Sequence, residues 1–253
     1  MLSKLFSIIR TLIAWTYLGA MSVVFTPILL VLLPTRRPRL LAFGVFCRLT
    51  GLVMAILAGA RLPRGFSKRM RAVHPAIYVF NHTSYLDNFI ASGAAPIATV
   101  AMAQDRTIWV PFFGHLYYLS GQVLVNRKER RASANALRKL IETTQAMGMS
   151  AMLWPEGGRS IDGRLRPFKR GFVHLALATR LPIVPIVVSN AHRCWTKGSF
   201  FTRFANVGVQ VLPPICTRDW ALKTLDQHVA DVRAQFIAAL PADQQPLEPE
   251  LRV

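Results

Sequence analysis

The chain has 253 residues, 52% of them hydrophobic and 17% charged, whereas a freely soluble protein carries about 25% charged residues. Its mean hydropathy is +0.32, yet Lys and Arg outnumber Asp and Glu by 31 to 12. An apolar and basic chain suits an anionic lipid surface or nucleic acid; apolar content favours lipid, and no zinc-finger, RNP or basic-zipper pattern supports nucleic acid.

From Thr11 to Pro34 the chain runs 24 residues without a charge, with Arg10 before it and Arg36, Arg37 and Arg39 after it. Roughly 20 apolar residues suffice to span a bilayer. A signal peptide fits poorly, because the run is too long and lacks a small-x-small cleavage site. A pair of helices buried in a soluble core is the alternative. Arginines on both flanks leave the topology open. A second apolar stretch, Leu40 to Leu62, is broken by Arg48 and reads better as interfacial. Residues 1–62 are therefore expected to form a membrane-anchoring helical segment.

Beyond Arg61 short β-rich runs alternate with helical periods. The expected strands are Ala76–Phe80, Ile97–Met102, Val123–Val125, Ala151–Trp154, Ile183–Val188 and Val207–Leu212. The expected helices are Glu129–Met147, Phe172–Thr179 and Asp219–Leu240. This alternation predicts one α/β domain over 63–240, with a mixed, largely parallel central sheet flanked by helices. The Pro-rich end, 241–253, reads as a flexible tail. Cys47, Cys194 and Cys216 are odd in number and scattered, as reduced thiols in a cytosolic setting would be.

The segment FNHTSYLD, residues 80–87, follows the first of these strands directly. His82 thus falls at a strand's carboxyl end, where sites of parallel sheets collect. Asp87 can fold back to its ring, fixing the tautomer and stabilising an imidazolium. No GxSxG and no cysteine in a catalytic setting is present, so the hydroxyl to be activated belongs to a substrate. The other histidines show no ligand spacing near the pair, and no metal is expected. Taken alone, the motif fits a structural His–Asp bond at a helix start equally well. Taken singly, Arg127, Glu156 and Arg159 read as ordinary solvated charges.

Three further segments follow in order: GQVLVNR (121–127), WPEGGRS (154–160) and LPIVPI (181–186). With NHTSYLD they resemble the four blocks of the glycerolipid acyltransferase family, most of all its bacterial 1-acylglycerol-3-phosphate acyltransferases. The likeness runs from about residue 75 to 190. It implies transfer of a fatty acyl group from acyl-CoA or acyl-carrier protein to a lysophospholipid hydroxyl. The implied acceptor is 1-acyl-sn-glycerol-3-phosphate, giving phosphatidic acid, with no cofactor beyond the acyl donor. By the same resemblance His82 is the general base and Asp87 its orienting partner. The resemblance further implies that Gly121, Arg127, Pro155, Glu156, Gly157 and Arg159 hold the acceptor, and the protein is expected on the inner (cytoplasmic) membrane with its catalytic domain on the cytoplasmic side.

The residue types suit those roles. Arginines clamp phosphate with forked donors, and the glycines let backbone amides approach an anion. Pro182 and Pro185 lie in an apolar strand that shapes the site, and Lys169 and Arg170 add positive field. Two departures stand out. Gly158 replaces the family's usual threonine, and Gln104, Asp105 and Arg106 stand where relatives carry a lysine. Another lysolipid acceptor is therefore an alternative. The rival classes are a hydrolase and a non-catalytic lipid-binding membrane protein.

Overall fold

A computed structural model describes residues 2–126, 129–196, 198–199 and 201–247. The charge-free N-terminal run folds as helix α1 (Leu2–Val31), and a tight turn leads into α2 (Arg36–Leu57). Each is long and apolar enough to cross a membrane. Neither stands away from the rest of the chain. In α1, Ser7 donates to the Thr202 carbonyl at 2.8 Å, and the Ser22 and Thr26 hydroxyls meet His115 Nε2 at 3.2 and 2.9 Å. These contacts span Ser7 to Thr26, ~29 Å of helix at ~1.5 Å per residue. The opposite face of α1, including Leu12, Val23 and Val31, is exposed.

After α2 come β1 (Ala60–Arg61), α3 (Phe66–Arg71), β2 (Ile77–Phe80), α4 (Leu86–Ala94) and β3 (Thr99–Gln104). A 3-10 turn at Asp105–Trp109 leads to α5 (Gly114–Leu119), β4 (Val123–Val125), α6 (Arg130–Met147) and β5 (Ser150–Leu153). The chain continues through α7 (Gly171–Thr179), β6 (Ile183–Ser189), α8 (Ala191–Cys194), β7 (Ala205–Asn206), β8 (Gly208–Val211) and α9 (Leu225–Ala239). Six strands form the main sheet in the order β4-β3-β5-β2-β6-β8. All neighbours are parallel except β8, which runs antiparallel to β6. A separate parallel pair joins β1 to β7.

Both faces of the sheet are covered, so its central strands are apolar throughout rather than alternating. Within β2 the period of two still sorts the side chains. Ile77 and Val79 pack with Leu140, Phe172 and Phe236 of α6, α7 and α9. Tyr78 and Phe80 face the other way, with Leu86 and Ile90 of α4. Helix α2 reaches this second layer through glycines. A Cβ on Gly51 would lie 2.5 Å from the Gly93 nitrogen of α4, and one on Gly93 would lie 2.5 Å from the Leu52 nitrogen. The two backbones touch because neither residue has a side chain.

The observed elements shift several expected bounds. The strand expected over Ile97–Met102 lies at Thr99–Gln104. The helix expected from Asp219 begins at Leu225, after a 3-10 turn at Leu222–Thr224. The short helices α3, α4, α5 and α8 were not legible as helices. The end of the chain also differs from the loose tail expected from 241. Gln244 is 1% exposed; its carbonyl accepts the Leu165 N–H and its Oε1 the Asn190 N–H, both at 2.9 Å. A buried amide with its polar atoms satisfied holds this segment to the domain. Residues 248–253 lie outside the described residues.

Candidate active site

The four buried residues of β2 deliver Asn81 and His82 to the carboxyl edge of the sheet. Asn81 fixes the exit. Its Nδ2 donates to the Val188 carbonyl at 2.8 Å and its Oδ1 accepts the Val188 N–H at 2.7 Å, so the side chain imitates one more rung of the β2–β6 ladder. The chain then turns into α4, whose first turn carries Asp87.

His82 Nδ1 lies 3.0 Å from Asp87 Oδ2. The same oxygen accepts the backbone N–H groups of Thr83 at 2.6 Å and Ser84 at 2.8 Å. A carboxylate only accepts, so the ring proton sits on Nδ1 and Nε2 presents a lone pair. Asp87 is 0% exposed and His82 8% exposed. The two readings of the motif therefore coexist: Asp87 satisfies orphan amides at the start of a helix and orients the imidazole. Trp154 packs against the His82 ring, 5.2 Å between centroids.

The loop after β5 wraps beneath this pair. Glu156 is 3% exposed, and both its oxygens face backbone donors: Oε1 accepts the His82 N–H at 2.6 Å and Oε2 the Arg166 N–H at 3.0 Å. Burial pushes its carboxyl up to about 8 and the Asp87 charge adds to this, against the pull of the two N–H donors and Arg166. Ser160 N–H donates to the His82 carbonyl at 2.9 Å, a second tie between loop and histidine.

Gly157 has φ +69°, a conformation that favours glycine. A Cβ there would lie 2.8 Å from Lys169 Cε and 2.9 Å from its Nζ. The ammonium thus rests over the turn, whose Pro155 carbonyl accepts the Lys169 N–H at 2.9 Å. Arg159 stacks its guanidinium 3.5 Å above the Tyr85 ring, three residues from His82 in sequence.

The structure therefore gathers His82, Asp87, Pro155, Glu156, Gly157 and Arg159. It corrects the expectation for Gly121. That residue precedes β4 and is level, by strand register, with Val100, Ala151 and Ile77. His82 is five residues beyond that level and three strands across. At ~4.8 Å between strands and ~3.3 Å per residue, the separation is on the order of 20 Å. In a parallel sheet only the carboxyl end of β4 shares an edge with His82, and Gly121 is at the amino end. Arg127, the other residue expected from that block, lies outside the described residues. Glu156 is also corrected: its oxygens hold backbone amides, so it positions His82 rather than facing an acceptor. Sequence reasoning did not single out Asn81, Tyr85, Trp154, Ser160 or Arg166. The basic run from Arg164 to Arg170 was the one signal for Arg166.

A histidine oriented by a buried carboxylate, open at Nε2 and bordered by cations, is a general-base geometry. A model of the acyltransferase family matches residues 65–189. The 1-acyl-sn-glycerol-3-phosphate acyltransferase of Cocos nucifera is 32% identical over 246 residues, covering 97% of this chain and 79% of that protein. The one from Escherichia coli K12 is 32% identical over 170 residues, 65% of this chain and 68% of its own. The chain belongs to this acyltransferase family. The enzyme of the same name from Limnanthes douglasii is 41% identical over 172 residues, 68% of this chain, and the match spans 61% of the plant protein. The crystal structure of the 1-acyl-sn-glycerophosphate acyltransferase PlsC from Thermotoga maritima shares the fold, with a TM-score of 0.69 at 19% identity over 91% of this chain and 94% of that one.

Proposed function

We propose that this protein transfers a fatty acyl group from an acyl thioester, borne by coenzyme A or acyl-carrier protein, to the hydroxyl of 1-acyl-sn-glycerol-3-phosphate, giving phosphatidic acid for phospholipid synthesis. The observation that carries this reading is the buried His82–Asp87 pair with Nε2 open, in a chain whose relatives bear that enzyme's name. His82 Nε2 takes the proton of the acceptor hydroxyl as its oxygen attacks the thioester carbonyl. Asp87 stabilises the imidazolium, which returns the proton to the departing thiolate. The enzyme supplies no nucleophile. Arg159 and Lys169 attract the acceptor's phosphate. Asp105 Oδ1 accepts the N–H of its neighbour Arg106 at 2.8 Å.

The protein works from the membrane. Helix α1 makes contacts with the domain along its length while exposing its far side, which favours a hairpin lying in one leaflet over a span. We place it on the inner membrane with the catalytic domain cytoplasmic, and take the acyl donor as the sole co-substrate, with no metal or other cofactor. The test is purified full-length protein with labelled acyl-CoA, a panel of lysolipids and a chelator. The reading expects labelled phosphatidic acid, undiminished by chelation. Free fatty acid without acceptor would make it a hydrolase, and no transfer to any acceptor a lipid-binding protein.

A further inference from the structure

The displacement of Gly121 from His82 leaves a cationic cavity that the acyl-transfer reaction does not use. It measures about 350 Å³ and lies between the α1–α2 turn, the end of α5 and the outer face of α6. Arg36 donates from Nε and Nη2 to the Gly121 carbonyl at 3.3 and 3.1 Å. Arg39 donates from Nη1 to the Leu119 carbonyl at 2.8 Å. Both guanidiniums converge on one glycine, since a Cβ on Gly121 would lie 3.5 Å from Arg36 Nε and 3.7 Å from Arg39 Nη2. Gly121 has φ +78°, so the turn that brings its carbonyl to Arg36 favours glycine.

We propose that this cavity binds the phosphate headgroup of an anionic membrane phospholipid, at a site separate from the centre around His82. The tethers hold two like charges side by side; Arg39 and Lys139 of α6 line the cavity, and Arg36 lies against Gly121 in its wall. Among the described residues no carboxylate forms an ion pair with any of the three; Glu142, one turn along α6, lies 3.9 Å from Arg138 and reaches Arg36 only through a longer-range attraction, weaker than the repulsion from Arg39. Cations kept together in this way call for an anion. Arg36 Nη1 and Arg39 Nη2 have no acceptor among the described residues, so each guanidinium keeps a donor edge for phosphate oxygens. The remaining walls distinguish a lipid from free phosphate. Leu33, Leu119 and Leu124 line the cavity, and Leu33 follows directly on the exposed apolar end of α1 at Leu30 and Val31. The ligand is therefore amphipathic, its headgroup on the arginines and its chains along α1.

The test is native mass spectrometry of the full-length protein in mixed micelles with dioleoyl-phosphatidylglycerol or dioleoyl-phosphatidylcholine. The expected result is one retained phosphatidylglycerol, with phosphatidylcholine retained at least tenfold less. Arg36→Gln with Arg39→Gln should lower retention at least tenfold. Lys139→Glu, which leaves both carbonyl tethers intact, should lower it several-fold and decides the matter if the double variant fails to fold. Arg159→Ala and the surface pair Arg64→Gln with Lys68→Gln should retain the lipid. Loss in Arg159→Ala alone would put the lipid at the catalytic centre, and equal loss in the surface pair would make the attraction diffuse; either overturns the proposal. Displacement by millimolar inorganic phosphate would overturn the lipid assignment in favour of a free anion.

Discussion

Glu156 offers the sharpest test of what the geometry means, because sequence and structure give it different work. If it held the acceptor, its loss would raise the acceptor's KM. In the structure both oxygens are occupied by the N–H groups of His82 and Arg166. Removing the side chain leaves a buried donor on His82, costing ~1–3 kcal/mol, and a partly buried donor on Arg166, costing less, so Glu156→Ala should lose ~2–4 kcal/mol from a total of ~5–15. Glu156→Gln is the informative variant. Its Oε1 still accepts from His82, while its amide faces the Arg166 N–H, at a cost of ~1–3 kcal/mol. The histidine's backbone then shifts, and a displacement of ~1 Å at a reacting group can cost ~100-fold. The expected outcome is a kcat reduced tenfold or more with the acceptor KM within about twofold. The pH dependence follows from the same burial. The folded carboxyl keeps its proton up to about 8, whereas the ordinary value is 4.5. Between these values the folded state binds more protons than the unfolded one, so this group's contribution to stability falls as pH rises through that window, by up to about 1.4 kcal/mol per unit. Gln has no such slope. Denaturant melts from pH 5 to 9 should therefore show the wild type losing its advantage over Glu156→Gln toward high pH. A pH-independent difference, or a large rise in acceptor KM with kcat and stability intact, would refute the reasoning.

His82→Ala should lower acyl transfer by ~10²–10⁴-fold with an unchanged circular dichroism spectrum; near-normal turnover would remove it from the mechanism. Arg159→Ala should raise the acceptor KM more than it lowers kcat, read from initial rates against lysolipid concentration. Gly93→Val should lose ~1–3 kcal/mol by overpacking, seen as a lower Tm, because any Cβ there meets the backbone of α2.

Much of the sheet could be read in advance because buried parallel strands are short, apolar and bounded by turns. Val123–Val125 matches in full, and Ile183–Val188 falls one residue short of β6. The position of His82 followed from β2, since a residue just past a parallel strand must lie at the carboxyl edge. The helices that escaped notice are short. In α3 and α5 six residues give less than two turns, too few for a periodicity to show. The misplacement of Gly121 has a different origin. A motif that brackets a strand puts its first and last residues on opposite edges of the sheet, and linear spacing says nothing about which end meets the histidine. Glu156 was misread because burial is a tertiary property. In sequence it is one acid in a polar loop; in the fold it is 3% exposed and bonded to the His82 and Arg166 backbones.

Helix α4 joins the catalytic pair to the membrane segment. Its first turn carries Asp87, and six residues later Gly93 meets Gly51 of α2 backbone to backbone. At ~1.5 Å per residue, the carboxylate that orients His82 lies ~9 Å along the helix from its contact with α2. Interfacial helices bury their apolar faces ~5–10 Å into the boundary between headgroups and acyl chains. On the proposed function, a site fixed at that spacing from such a helix would meet the glycerol region of a lysolipid whose chain stays in the leaflet. The glycines matter because a larger residue would push α2 away from α4, moving the base relative to the bilayer rather than relative to Asp87. Substitution at Gly93 is thus expected to impair transfer to long-chain lysolipids in vesicles more than transfer to a short-chain acceptor in solution. Equal losses on both would mean that α4 sets only the stability of the domain.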